Sequence, residues 1–169
     1  MNGNIPVYKD ASISLRRFHP DELKPTALYV VEDNIVKITD IAEELSSEGI
    51  NIFNLHGTVN HSEGIISPPV IEMVDGVPAI IDGLNRIWWA SLSDKMVTCI
   101  FVKGASLPTI SYPVTWQEVV LYKDKPNDPK LLRRLREGIA DTPSELRKYY
   151  RDFSYLGSKG RRPSASQSS

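Results

Sequence analysis

The sequence predicts an α+β fold, in which a small mixed β-sheet packs with helices and a C-terminal helical extension follows. Short apolar runs bounded by turn residues, such as Val70 to Val74 and Val97 to Val102, predict the strands. Apolar residues at helical spacing from Thr39 to Ser47 predict a helix before them. After residue 115, three segments combine an N-capping residue with proline or glutamate, which predicts the helical extension.

Composition sets the general class of the protein. The chain has 169 residues, 41% hydrophobic and 24% charged, as in a soluble globular protein. No apolar run reaches the length of a membrane span and the N-terminus has no signal-peptide core, so we expect a cytoplasmic protein that contacts no membrane. The single cysteine, Cys99, is expected in the core, with a reactive thiol as the alternative.

Charge is distributed unevenly along the chain. Residues 1–115 hold 8 Lys/Arg and 14 Asp/Glu, whereas residues 116–169 hold 12 and 7. A basic C-terminal part behind an acidic body favours a polyanion or an acidic protein as partner.

Four parts are predicted along the chain. They are a flexible arm (1–12), a folded domain (13–113), the helical extension (114–156) and a disordered basic tail rich in Gly, Ser and Pro (157–169).

In the first half of the domain the predicted elements are short. They are a strand at Ile13 and Leu15, a turn between Pro20 and Pro25, and a strand or buried loop from Leu28 to Val31. The helix that follows is expected to start at Thr39 or Asp40 as N-cap and to end at Gly49.

A polar loop is predicted at residues 51–67, and it carries His56, His61 and Glu63. We expect it to lie over a ligand pocket, because long loops in compact domains often serve sites. A metal site is the alternative, although the spacing fits no strict ligand template.

A hairpin and a strand–turn–helix junction occupy the middle of the domain. Asp75-Gly76 predicts the hairpin turn between Val70 to Val74 and Val77 to Ile81. Asp82-Gly83 then predicts a tight turn into an almost fully buried helix that ends near Asp94.

This junction is the first candidate site. Free N–H groups at a helix N-terminus attract anions, and glycine lets a phosphate approach closely. Arg86 lies in the first turn, where its guanidinium is placed to grip the same anion. The alternative is a buried corner in which Arg86 pairs with a carboxylate.

The extension supplies the second candidate site. Its helices are predicted over Trp116 to Tyr122, from Asp128-Pro129 to about Ile139, and from Thr142-Pro143 to about Phe153. Contacts with nucleic-acid phosphates are predicted for Lys130, Arg133, Arg134, Arg136, Arg147 and Lys148. A solvated helix face is the alternative.

The order of elements, together with the segment Ile80-Ile81-Asp82-Gly83-Leu84-Asn85-Arg86, resembles the ParB N-terminal/sulfiredoxin-like fold over about residues 13–103. In that family this segment binds nucleotide phosphates. The resemblance therefore implies that Asp82, Gly83, Leu84, Asn85 and Arg86 bind a nucleoside triphosphate, CTP or ATP, with or without Mg²⁺.

The sequence also departs from this family. Sulfiredoxins place a nucleophilic cysteine in the turn, where Leu84 and Asn85 stand here, so sulfinic acid reductase chemistry has no nucleophile. Leu84 cannot transfer a proton or bind an ion. Kinases of this fold carry a glutamate shortly after a Leu-x-Pro element, whereas Leu23-Lys24-Pro25-Thr26 leads here to Ala27.

Three functions remain. The first is a ParB-like nucleotide-binding module that acts with DNA or a DNA-associated or acidic protein partner, as a homodimer if it self-associates. The second is a small phosphotransferase or NTP hydrolase with Asp82 as catalytic base or metal ligand. The third is a non-catalytic interaction module that uses the surface of Trp88 and Trp89.

Overall fold

The computed structural model describes residues 7–138 together with residues 149, 151, 153 and 156. Its strands are β1 (Ser12–Phe18), β2 (Lys24–Pro25), β3 (Tyr29–Val31), β4 (Val59–His61), β5 (Gly64–Ile66), β6 (Val70–Val74), β7 (Val77–Asp82), β8 (Val97–Lys103) and β9 (Val120–Tyr122). Its α-helices over the described residues are α1 (Glu32–Ser47) and α2 (Leu84–Leu92). Neither helix is long and apolar enough to span a bilayer, within the part of the chain described.

A five-stranded mixed sheet forms the body, in the order β1-β8-β6-β7-β2. The β1–β8 and β6–β7 pairs are antiparallel, and the β8–β6 and β7–β2 pairs are parallel. Strand β8 is interior and its first six residues are buried, because both faces of the sheet are covered. The predicted α+β class and the predicted strand at Val97 to Val102 are confirmed.

The β6–β7 hairpin forms at the predicted turn. Asp75 and Gly76 have φ angles of 52° and 80°. Two successive left-handed residues match the twist of the flanking strands, which is why Asp-Gly is favoured at this position.

The main core lies between the sheet and α2, and Cys99 is part of it. Its buried members are Phe18, Leu23, Ile71, Ile80, Ile87, Ala90, Val97, Cys99 and Phe101. Burial raises the pKa of the Cys99 thiol to about 12, with the charge of Arg86 acting in the opposite direction. A reactive cysteine needs a lowered pKa, so Cys99 is the predicted core residue.

Helix α1 differs from its predicted bounds, and helix α2 differs from its predicted burial. Helix α1 begins at Glu32, directly after β3, so the predicted start at Thr39 or Asp40 is wrong. Glu32 and Asp33 provide negative charge in the first turn, which stabilises the helix start without a side-chain cap. Helix α2 is only partly buried, because Leu92 is 66% exposed.

The loop predicted at residues 51–67 contains secondary structure. Strands β4 and β5 pair within it as a short antiparallel hairpin. Trp89 of α2 packs beside this region, with its ring 5.1 Å from that of Phe53.

The extension begins differently from the prediction. The segment predicted as a helix from Trp116 to Tyr122 is a 3-10 turn, Trp116–Glu118, followed by β9, which pairs with β3. The capping box at Thr115 and Glu118 is present, so the local signal was correct but the helix does not continue. Helix initiation and helix propagation are separate steps. Here the capping box forms the first turn, and the residues that follow pair with β3 as a strand.

The next predicted helix is also wrong over its described part. Asp128 caps a 3-10 turn, Pro129–Leu131, and Leu135 then forms an isolated antiparallel bridge with Ser111 of the body. The backbone groups of this segment bond elsewhere: the Leu132 carbonyl accepts from the Leu28 N–H, and the Arg136 N–H donates to the Ile110 carbonyl. The predicted helix from Thr142 to Phe153 and the tail lie almost wholly outside the described residues.

The predicted flexible arm is wrong for residues 7–11. Val7, Tyr8 and Ala11 are at most 5% exposed and pack on the sheet with Leu156. The earlier residues of the arm lie outside the described ones.

A buried charge in the sheet connects both ends of the chain. Glu72 of β6 is 1% exposed, and its carboxylate accepts from Arg151 Nε at 2.8 Å and Nη2 at 2.9 Å. The Tyr8 hydroxyl donates to the same carboxylate. Burial and the Glu72 carboxylate raise the pKa of Tyr8, so Tyr8 remains a neutral donor. Burial acts to lower the pKa of Arg151, but Glu72 outweighs it and raises the pKa.

We predict that Glu72→Gln lowers the free energy of unfolding by about 3–5 kcal/mol, because it leaves the Arg151 charge buried without its partner. The control is Glu118→Gln, which breaks the exposed ion pair with Arg134, keeps an oxygen that can accept from Thr115 in the capping box, and should destabilise the protein far less than Glu72→Gln. Urea denaturation measures both. Equal losses in the two variants would contradict the role given to Glu72.

Candidate functional site

The junction between β7 and α2 has a backbone conformation that requires glycine. Gly83 is the N-cap of α2 with φ 91° and ψ 22°, and no side chain caps the helix. A Cβ at this position would lie 2.8 Å from Pro69 Cβ. The left-handed φ and the approach of Pro69 therefore both exclude a larger residue.

At this junction, several backbone N–H groups lack a hydrogen-bond partner within the helix. The first intrahelical bond of α2 runs from the Ile87 N–H to the Gly83 carbonyl at 3.1 Å. The N–H groups of Leu84, Asn85 and Arg86 precede that bond, so they have no partner within the helix. The positive end of the helix dipole lies at the same place.

A cavity of about 170 Å³ opens at this junction, and we call it the elbow pocket. It is lined by Thr26, Ala27, Tyr29, Asn34, Ile80, Ile81, Asp82, Gly83, Leu84, Asn85 and Arg133. The Asn85 Oδ1 atom is buried and has no hydrogen-bond partner among the described residues. Four of the five residues predicted for phosphate binding, Asp82 to Asn85, thus line one pocket.

Arg86, the fifth predicted residue, does not line the elbow pocket. Its side chain is buried, with the residue 7% exposed, and its Nη1 donates to the Ser67 carbonyl at 2.7 Å. Burial lowers the pKa of Arg86 to about 10, while the nearby charge of Asp82 acts to raise it. The structure therefore places Arg86 as a brace between α2 and the segment before β6, and its contact with phosphate stays a prediction.

Asp82 lies where two cavities meet. It is exposed, and it lines both the elbow pocket and a smaller cavity of about 90 Å³ that His56 and Thr58 also line. The loop carrying His56 thus contributes to a cavity beside the candidate site, and its role over a ligand pocket stays a prediction.

The metal-site alternative at this loop has no geometric support. The Glu63 N–H donates to His61 Nδ1 at 3.3 Å. Among the residues described, no three or more His, Cys, Asp or Glu side chains are grouped closely enough to hold a metal ion.

The basic residues of the extension mostly contact the protein itself. Arg134 pairs with Glu118, and Arg136 pairs with Asp75 at 2.8 Å while it stacks on Tyr112. Lys130 is exposed, and Arg147 and Lys148 lie outside the described residues.

Arg133 belongs to the elbow pocket. Its Nη1 donates to the Thr26 carbonyl at 3.3 Å. The prediction assigned Arg133 to nucleic acid, and the sequence offers no signal that places it beside Gly83. Thr26, Tyr29 and Asn34 were missed for the same reason, since folding alone brings them to the pocket.

We predict that Gly83→Ala destabilises the protein more than Gly49→Ala. Both glycines have left-handed φ angles, which cost an alanine about 1–2 kcal/mol, but a Cβ at Gly49 would meet no atom within 4 Å. The contact with Pro69 should add at least about 1 kcal/mol at Gly83. Thermal denaturation compares the two, and equal losses would show that Pro69 does not restrict the junction.

Comparison with known proteins identifies the family. No curated protein and no solved structure matches the chain. Residues 1–120 match the family model described as the ParB CE domain, which covers more than half of the 169 residues. The chain therefore belongs to the ParB CE domain family.

Proposed function

We propose that this protein is a ParB-like nucleotide-binding module whose elbow pocket holds the phosphates of a nucleoside triphosphate, CTP or ATP. The observation that carries the proposal is the uncapped start of α2 at Gly83, where residues with unused backbone N–H groups line a pocket. Such a helix start favours anions because its N–H groups and its dipole act together.

The charges around the pocket support a phosphate ligand. Arg133 on one wall provides a guanidinium, which matches phosphate oxygens in geometry and charge. Asp82 on another wall provides a carboxylate that is suited to Mg²⁺ accompanying the phosphates. The Asn85 amide adds a polar group to orient the ligand.

The wider role proposed is with DNA or with a DNA-associated or acidic protein partner. Membership of the ParB CE family and the basic charge of residues 116–169 support it. Arg134 and Arg136 are already paired with carboxylates, so Lys130 is the better candidate among the described residues for such a contact.

A nucleotide hydrolase or phosphotransferase is the second candidate. The position of Asp82 favours it, because this carboxylate lies between the elbow pocket and the cavity that His56 lines. A carboxylate in this position could orient a nucleophile or hold Mg²⁺ for phosphoryl transfer.

Calorimetric titration with CTP, ATP and GTP, with and without Mg²⁺, tests the nucleotide proposal. We expect at least one of the three nucleotides to bind. Its affinity should fall as negative charge is removed, from the triphosphate to the diphosphate to the monophosphate. Absence of binding by all three nucleotides would refute the proposed function.

Chromatography of the same samples separates the module from the enzyme. Turnover that is abolished by Asp82→Asn and retained by Asp40→Asn, a control on the exposed face of α1, would establish the enzyme. Binding without turnover would establish the module.

A further inference from the structure

Two arginines, Arg86 and Arg133, are candidates for the side chain that binds an anion at the elbow pocket. Arg86 follows Gly83 in the expected motif, but it is 7% exposed and does not line the pocket. Its Nη1 donates to the Ser67 carbonyl, and its Nε is buried without a partner among the described residues. Arg133 lies far away in the sequence, yet it is exposed and lines the pocket.

Arg133 also lines a larger neighbouring cavity of about 450 Å³, which we call the second cavity. Thr26, Ile81 and Arg133 line both cavities, so these residues form their shared wall. Ser111, whose hydroxyl donates to the Thr26 carbonyl at 3.0 Å, and Tyr149 also line the second cavity. A ligand that enters from either cavity therefore meets Arg133.

The other arginine of the second cavity has no N–H to spare. An arginine has five N–H groups. Arg151 directs its own to the Glu72 carboxylate and to the carbonyls of Leu107, Pro108 and Tyr149. Its charge is balanced by Glu72, so it cannot serve as the main anion ligand.

The hydrogen bonds of Arg133 leave most of its donors unused. Nη1 donates to the Thr26 carbonyl, and the Nε and Nη2 groups have no partner among the described residues. Thr26 itself is fixed, because its hydroxyl donates to the Ile80 carbonyl at 2.7 Å. One bond thus anchors the guanidinium on the pocket wall, and its remaining N–H groups stay available.

We propose that Arg133, and not Arg86, is the side chain that binds the anionic group of the ligand at the elbow pocket. The proposal rests on the proposed function, since it names the cation of that same phosphate site. Arg133 lies beyond residues 1–120, the part that matches the ParB CE family model. The extension therefore completes a pocket that the family domain forms only in part.

The test compares Arg133→Gln with Arg134→Gln in the full chain by calorimetric titration with ATP, CTP and inorganic triphosphate. Loss of a charge-assisted contact should weaken binding about 10- to 100-fold in Arg133→Gln. Arg134→Gln removes the neighbouring charge, which pairs with Glu118 away from the pocket, and should leave the affinity within about twofold. Arg133→Lys keeps the charge without the planar fork and should restore part of the affinity.

Each outcome decides a different claim. Binding by the native chain that is unchanged in Arg133→Gln overturns this inference and leaves the proposed function standing. Loss of binding in both glutamine variants shows a general effect of charge and also overturns it. Absence of binding by the native chain refutes the proposed function and the inference with it. Thermal denaturation of each variant shows whether it is folded, so that a loss of affinity can be distinguished from unfolding.

If Arg133 contacts nucleic acid instead, Arg133→Gln will weaken a DNA mobility shift and leave the nucleotide affinity unchanged. That result would also overturn the inference.

Discussion

The ion pair between Glu72 and Arg151 is the interaction on which the described structure depends most. A buried ion pair is stable only if its hydrogen bonds are complete, because removing two charges from water is costly. Here the carboxylate accepts from Arg151 and from Tyr8, and the guanidinium donates further to backbone carbonyls. The pair therefore joins the start of the chain, the middle strand of the sheet and the extension.

This ion pair also shapes the region around the candidate site. Arg151 lies between Tyr149 and Phe153, and all three line the second cavity. Because Arg151 is held on β6, its neighbours are brought to the cavity that Thr26 and Arg133 also line. The second cavity is therefore lined partly by residues of the extension that this ion pair holds in place.

Packing alone fixes the backbone at the Gly83 junction. Pro69 approaches so closely that only glycine fits, and Arg86 braces the adjoining segment through the Ser67 carbonyl. The backbone N–H groups of α2 are consequently held in place by contacts that need no ligand. Preorganised donors bind an anion without a further ordering cost.

The sequence predicts the features that depend on local chemistry. Asp75-Gly76 and Asp82-Gly83 predict their turns because few residues accept left-handed φ angles, and β8 is predicted by its continuous apolar run. Most of the elbow pocket follows from the same turn. What could not be predicted depends on contacts distant in sequence.

Glu72 is the clearest example of such a contact. It stands in an apolar strand and gives no sign of its partner 79 residues later. The extension is a second example. Its capping residues are present, but its backbone groups form hydrogen bonds with β3 and with the segment around Ser111 and not within helices. Arg133 reaches the elbow pocket only through that docking.

We propose that the start of α2 and Arg133 bind one anion together. The most direct measurement is a ¹H–¹⁵N NMR titration with inorganic triphosphate that follows the backbone amides of Leu84 and Asn85 and the Arg133 Nε–H. We expect these three signals to shift together with one dissociation constant, while the amide signal of Gly49, at the end of α1, does not shift. Shifts confined to other surfaces, or none at Leu84 and Asn85 under saturating ligand, would contradict it.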